Sequence, residues 1–256
     1  MKWLGKLLFG SIIWGFFSMS VFCEKIPVNM VRITGRLEIL TTEVTQKLYE
    51  SVMGENPSKF KGADNPVENV SFYDAIYFCN KLSLMNGLEP VYYVNGSTDV
   101  TVWNYTPHKG EDFSVKNFPS CNGYRLPNEE EWFFAARGIN DGNYGSEQDF
   151  TYSGSNNIDE VAWYNKNSNG KTHPVAQKKA NSFGLYDMSG NVWEWYDDRF
   201  YGRVRFYGGG FFSTDYDCKL NYEELKTRSA YTYNFKSESI GFRIVRTVEE
   251  IDTYLP

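Results

Sequence analysis

Between Val28 and Leu40 the apolar positions Val31, Ile33, Leu37 and Ile39 alternate loosely with polar ones, which predicts a strand or hairpin. The period then lengthens. Leu48, Tyr49, Val52 and Met53 recur at helical spacing behind Thr41-Thr42-Glu43-Val44-Thr45. A helix is expected to open there, with Thr42 as its cap and Thr45 and Gln46 in its first turn. Gly54 to Pro66 contains Asn-Pro twice and reads as a loop. Ser71-Phe72-Tyr73-Asp74 carries a capping signature, and Ala75, Phe78, Cys79 and Leu82 continue it as a helical face that stops at Asn86-Gly87. Cys79 on that face is expected to be a buried small hydrophobe. Val91 to Val94 reads as a strand with Asn95-Gly96 as its turn.

Farther along, Asn128 is a good cap for Glu129-Glu130-Glu131-Trp132-Phe133-Phe134-Ala135-Ala136-Arg137, and Gly138 is its stop. Three glutamates together suggest a catalytic cluster. Their place in the first turn, where the helix dipole favours negative charge, makes a helix start the better reading. Residues 139 to 182 are rich in Asn, Ser and Gly and lack periodicity, so a long functional or ion-stapled loop region is expected. No linker divides the chain, and no internal repeat is visible. Short strands, a few capped helices and long loops together predict an α+β fold with much irregular structure.

Composition changes this picture in three places. Aromatic residues make up 18% of the 256 residues, enough for a thick core and for rigid contact surfaces besides. The net charge of −6 leaves no basic stripe, so no nucleic-acid partner is expected. Only His108 and His173 are present, far apart, which argues against a histidine metal site or a His-dependent triad.

The N-terminus reads as a targeting segment. Lys2 and Lys6 precede an apolar run from Leu7 to Phe22, the pattern of a secretory signal rather than a structural helix. Cys23 stands directly after it, where a lipoprotein signal places its acylated cysteine, although Phe22 is bulky for such a site. Residues 1–23 are therefore expected to be a signal peptide and 24–256 the domain. The protein would be exported to the periplasm or cell surface, with membrane attachment through a lipid on Cys23. The remaining cysteines, Cys79, Cys121 and Cys218, show no CxxC spacing, and an oxidising compartment permits a disulfide between two of them.

Several segments, in order, resemble one family. They are Glu43-Val44-Thr45, Asn65-Pro66-Val67-Glu68-Asn69-Val70-Ser71-Phe72-Tyr73-Asp74-Ala75, and Tyr124-Arg125-Leu126-Pro127 with Glu131-Trp132 and Ala135-Ala136-Arg137-Gly138. The most specific is Phe183-Gly184-Leu185-Tyr186-Asp187-Met188-Ser189-Gly190-Asn191-Val192-Trp193-Glu194-Trp195, and Gly208-Gly209 with Ile240-Gly241-Phe242-Arg243 closes the series. The chain resembles the formylglycine-generating enzymes, or sulfatase-modifying factors. The resemblance implies a C-type-lectin-like formylglycine-generating-enzyme fold with short strands and few helices. It also implies a structural calcium at Asn191 and Glu194, residue types that suit calcium in their own right. The competing reading has Asn191 capping a turn and Glu194 paired with Arg199.

Oxidising members of the family carry two cysteines five positions apart, a soft pair able to hold copper(I). Here Cys218 falls on the second position, Ser213 stands at the first, and Gly210 replaces a serine. A hydroxyl neither ionises like a thiol nor prefers copper(I). Aromatic and small polar residues are interleaved over the same stretch, the composition of binding loops. Phe206, Tyr207, Phe211, Phe212, Ser213, Asp215, Tyr216 and Tyr222 are the candidate ligand-binding residues. In this the chain is similar to the variable ligand-binding proteins of diversity-generating retroelements. Two functions are weighed: an exported, surface-displayed protein binding a protein or carbohydrate ligand, and a copper- and oxygen-dependent formylglycine-generating oxidase with Cys218 catalytic.

Overall fold

The computed structural model describes residues 25–104, 115–117, 121–138, 150–200, 203–220 and 231–249. The alternating N-terminal segment forms a hairpin of β1 (Met30–Arg32) and β2 (Leu37–Leu40), paired antiparallel with Val31 opposite Ile39. Distant pieces complete the sheet. β9 (Val245–Thr247) lies antiparallel to β2, and β5 (Tyr124–Arg125) lies antiparallel to β9, giving the order β1-β2-β9-β5. β3 (Tyr92–Val94) pairs with β4 (Val115–Asn117). A third sheet has the order β7-β6-β8, with β6 spanning Trp193–Phe200, β7 Arg203–Tyr207 and β8 Ile240–Phe242. The fold is α+β with short strands, as expected.

The helices start where side chains can satisfy their free N–H groups. α2 (Phe72–Met85) has a full capping box between Ser71 and Asp74, and α3 (Glu129–Arg137) has one between Asn128 and Glu131. Gly138 ends α3 in the left-handed conformation. α1 (Gln46–Met53) corrects the sequence reading, because its cap is Thr45 and not Thr42. Thr45 bridges to Pro66, and the Gln46 N–H donates to the Asn65 carbonyl, so a distant loop fixes where the helix begins. In the long irregular region, residues 150–182 hold one short helix, α4 (Ile158–Val161), among turns.

α1 and α2 pack through Tyr49 stacked on Phe78, rings 5.5 Å apart, with Phe242 of β8 edge-on to both. This cluster is one large core and contains Cys79, Cys121, Trp103, Trp195 and Ile244. A second forms where Trp132 and Phe133 of α3 meet Tyr196 and Tyr207. A small third cluster holds Tyr152, Val161, Ala162, Tyr164 and Cys218. The parallel register of β6 with β8 sets Glu194 opposite Gly241. A Cβ on Gly241 would lie 2.3 Å from the Val67 carbonyl oxygen, so only glycine lets the two strands and this loop close together.

Candidate functional site

The most specific sequence run folds into a buried polar centre. Glu194 is fully buried and takes Arg243 as its partner, with Nε to Oε2 at 2.7 Å and Nη2 to Oε1 at 2.6 Å. The indole of Trp132 donates to Oε2 at 2.7 Å. Arg243 also donates to the carbonyls of Tyr186 and Leu40. The side chain of Arg199 lies outside the described ones, and the partner that Glu194 takes is Arg243. The true partner lies 49 positions away, a distance no local pattern reveals.

Asn191 sits in the left-handed conformation at φ 60 and joins three segments. Its amide donates to Glu43 Oε2 at 2.7 Å and to the His173 carbonyl, and its Oδ1 accepts the His173 N–H. Glu43 Oε1 accepts the Val192 N–H at 3.0 Å. Asp187 accepts the Ala176 N–H on Oδ2, while its buried Oδ1 has no hydrogen-bond partner. The Arg243 guanidinium is ion-paired with Glu194, and the Glu43 and Asp187 carboxyls feel the charge of both. Burial, then the neighbouring charges of Asp187 and Glu194, push the Glu43 carboxyl well above its usual range. Burial pushes Asp187 up to about 6.

Calcium takes six to eight oxygen ligands. Both Glu194 oxygens are engaged by Arg243 and Trp132, Asn191 Oδ1 by the His173 N–H, and the Asn191 carbonyl by the Phe211 N–H. Among the described residues no three acidic, His or Cys side chains are gathered as a metal ligand set. As placed, Asn191 and Glu194 do not fit a calcium ion, and Arg243 supplies the compensating charge. Two of the three glutamates of α3 have structural partners. Glu131 pairs with Arg125 at 2.6 Å and closes the helix cap, and Glu129 accepts from the Tyr207 hydroxyl.

The chain then turns through Gly208, Gly209 and Gly210 into the segment aligned with the family's cysteines. Gly209 is left-handed at φ 82, and a Cβ there would lie 2.6 Å from Cys218 Sγ. The Ser213 hydroxyl accepts the Gly210 N–H at 2.9 Å, and the Ser213 N–H donates to the Gly210 carbonyl. Ser213 is a buried turn residue whose oxygen is already used. Cys218 is buried too, and Cys79, Cys121 and Cys218 are all free thiols. The disulfide that the compartment would permit does not form among them. Cys79 and Cys121 belong to a different cluster from Cys218. With Ser213 supplying a hydroxyl at the position that resembles the family's first cysteine, and Cys218 in another cluster than Cys79 and Cys121, the donor set of this segment does not fit copper(I).

The eight candidate binding residues separate in the structure. Tyr207 is fully buried, stacked on Tyr196 at 4.4 Å, and burial together with its hydrogen bond to Glu129 raises its hydroxyl far above the ordinary tyrosine value. Phe211 is buried edge-on against Phe60, and Ser213 is buried in its turn. Phe206 is half-buried against Trp193, Trp195 and Tyr231. Of the seven that are described, Phe212, Asp215 and Tyr216 face outward, with Phe212 55% and Tyr216 52% exposed. Tyr222 lies outside the described residues, as does His108. His173 stacks on Trp163 at 3.9 Å, and the Lys178 ammonium sits 4.1 Å from the same ring.

Comparison with known proteins agrees with this geometry. A family model described as "Sulfatase-modifying factor enzyme 1-like domain" matches residues 10–248. The chain is 37% identical to a protein of Paenibacillus barcinonensis named "Chaperone protein LppX", covering 80% of this chain and 78% of that one. It is 33% identical over 143 residues to a Bos taurus protein named "Inactive C-alpha-formylglycine-generating enzyme 2", covering 50% of this chain and 46% of that protein. Among solved structures, Treponema denticola variable protein 1 superposes with a TM-score of 0.71 at 33% identity, covering 82% of this chain and 84% of that one.

Proposed function

This chain belongs to the sulfatase-modifying factor family, and from that premise we propose that it is an exported binding protein without the family's oxidase chemistry, engaging a polypeptide client. The observation that carries the reading is the state of Ser213. Its hydroxyl closes a turn where the oxidising relatives need a metal-binding thiolate, so the segment that holds the buried Cys218 offers a hydroxyl in place of the second thiolate. The same segment turns Phe212 and Tyr216 outward, and rigid exposed aromatics favour contact with another molecule. A relative named as a chaperone supports a polypeptide as that molecule. Display at the cell surface through a lipid on Cys23 belongs to the same proposal and is motivated by the leader that ends there.

The test is light scattering of insulin, whose B chain aggregates on reduction. The wild-type protein is expected to delay aggregation at near-stoichiometric ratios. Phe212→Ser combined with Tyr216→Ser should remove most of that protection while leaving the melting temperature unchanged. Equal protection by the wild type and the double variant would refute the assignment of this face.

A further inference from the structure

Away from the polar centre, a groove of about 580 Å³ runs between the N-terminal segment and α1. That volume lies within the range of small-molecule sites, about 300–1,000 Å³. Its apolar surface comes from Ile26, Pro27, Leu40 and Leu48. Ile26 and Leu48 are half-buried against the larger core, so this surface is continuous with well-packed hydrophobic structure. Its polar neighbours are mostly engaged elsewhere. The Thr45 hydroxyl accepts the Leu48 N–H, Thr42 donates to the Glu43 carbonyl, Ser51 donates to the Leu48 carbonyl, and Asn29 donates to Thr41. Glu43 reaches the groove's lining, but its carboxyl is committed to Asn191 and Val192. Two exposed ammonium groups are left, Lys25 and Lys47, and neither has an ion-pair partner among the described residues.

We propose that this groove binds one fatty-acyl chain bearing an anionic head, the chain against Ile26, Pro27, Leu40 and Leu48 and the head between Lys25 and Lys47. The apolar surface favours a hydrocarbon by its removal from water, and two cations without an ion-pair partner among the described residues favour a carboxylate over a neutral head. Position points the same way. Lys25 lines the groove two residues after Cys23, where the proposed lipid anchor would hold it near the membrane surface. In that respect the inference rests on the export reading above.

The experiment uses the full chain in detergent with a photoactivatable diazirine analogue of palmitate, followed by mass-spectrometric mapping of the labelled peptides. Label is expected to concentrate between Ile26 and Ser51 and to be displaced by palmitate. Lys25→Glu combined with Lys47→Glu should lower labelling by the carboxylate probe roughly fivefold or more, with little effect on the corresponding neutral alcohol probe. Leu48→Glu should lower both, with the circular dichroism spectrum confirming that the fold is kept. Label spread evenly over the chain, label confined to the leader, or label indifferent to both lysine substitutions would overturn the proposal. The insulin assay does not depend on the groove, so failure here is distinguishable from failure of the binding reading.

Discussion

The buried centre around Glu194 and the segment from Phe211 to Lys219 lie next to each other in the fold and obey opposite rules. In the centre, a guanidinium, an indole and an amide engage the carboxylates of Glu194 and Glu43 at 2.6–2.7 Å. In the segment, Ser213 and Asp217 fix turns, and the side chains of Phe212, Asp215 and Tyr216 are exposed. The family signature is therefore mainly a specification of architecture. Ser213 and Gly210, which depart from the family's pattern, lie in the segment where its chemistry would occur. A scaffold can keep its fold by keeping the first region and change its activity by changing the second.

The sharpest way to break this comparison is to remove Arg243. Arg243→Ala leaves Glu194 buried without its counter-ion, beside Glu43 and Asp187. Breaking one partner of a buried pair costs about 3–5 kcal/mol. The expected fall in melting temperature is about 10 °C, on a scale of roughly 2–4 °C per kcal/mol for a chain of this size. Phe212→Ser with Tyr216→Ser should change stability by no more than about 0.5 kcal/mol, as surface substitutions do. Comparable losses at the two places would remove the distinction.

A smaller effect is expected at the junction. Gly209→Ala forces a side chain into a left-handed position and against Cys218 Sγ, at a cost of about 2 kcal/mol. Cys218→Ala opens space for the new methyl, so the double variant should be more stable than the sum of the singles predicts, by about 0.5 kcal/mol or more. Strict additivity in urea unfolding would show that the two residues do not press on each other.

A pH dependence is expected from Glu68. Its Oε1 accepts the Phe60 N–H, its Oε2 is buried without a hydrogen-bond partner, and burial raises its carboxyl to about 7. A carboxyl raised in the folded state binds its proton more tightly there than in the unfolded chain. The associated stability is fully present below the ordinary value of 4.5 and is lost as pH rises through about 7. Melting temperature should therefore decline more between pH 5 and pH 8 in the wild type than in Glu68→Gln. Asp187, raised to about 6, adds a parallel decline that the substitution leaves in place. Identical profiles for the two proteins would contradict the assignment to Glu68.

Legibility from the sequence followed the range of the interactions. Ser71 with Asp74 and Asn128 with Glu131 are local, and both helix starts were readable from residue type and spacing. The start of α1 was misread because a tertiary contact chose Thr45 over Thr42. The Glu194–Arg243 pair joins two motifs that were both visible, but nothing in either names the other as partner. Among the candidate binding residues, the sequence could not separate Tyr207 from Tyr216. Both are tyrosines in an aromatic, glycine-rich stretch, yet register places one in the core opposite Glu194 and the other on the surface. The missing first cysteine needed no structure, but the hydrogen bond that gives Ser213 its own role did.

The central claim is that this scaffold lacks the oxidase chemistry of its relatives, and one assay tests it most directly. The purified protein is loaded with copper and incubated with oxygen and a cysteine-containing sulfatase peptide, beside Cys218→Ser under the same conditions. No formylglycine from the wild type, and a mass spectrum of the peptide identical to that from Cys218→Ser, is the predicted result. Formylglycine formed by the wild type and abolished in Cys218→Ser would contradict the account.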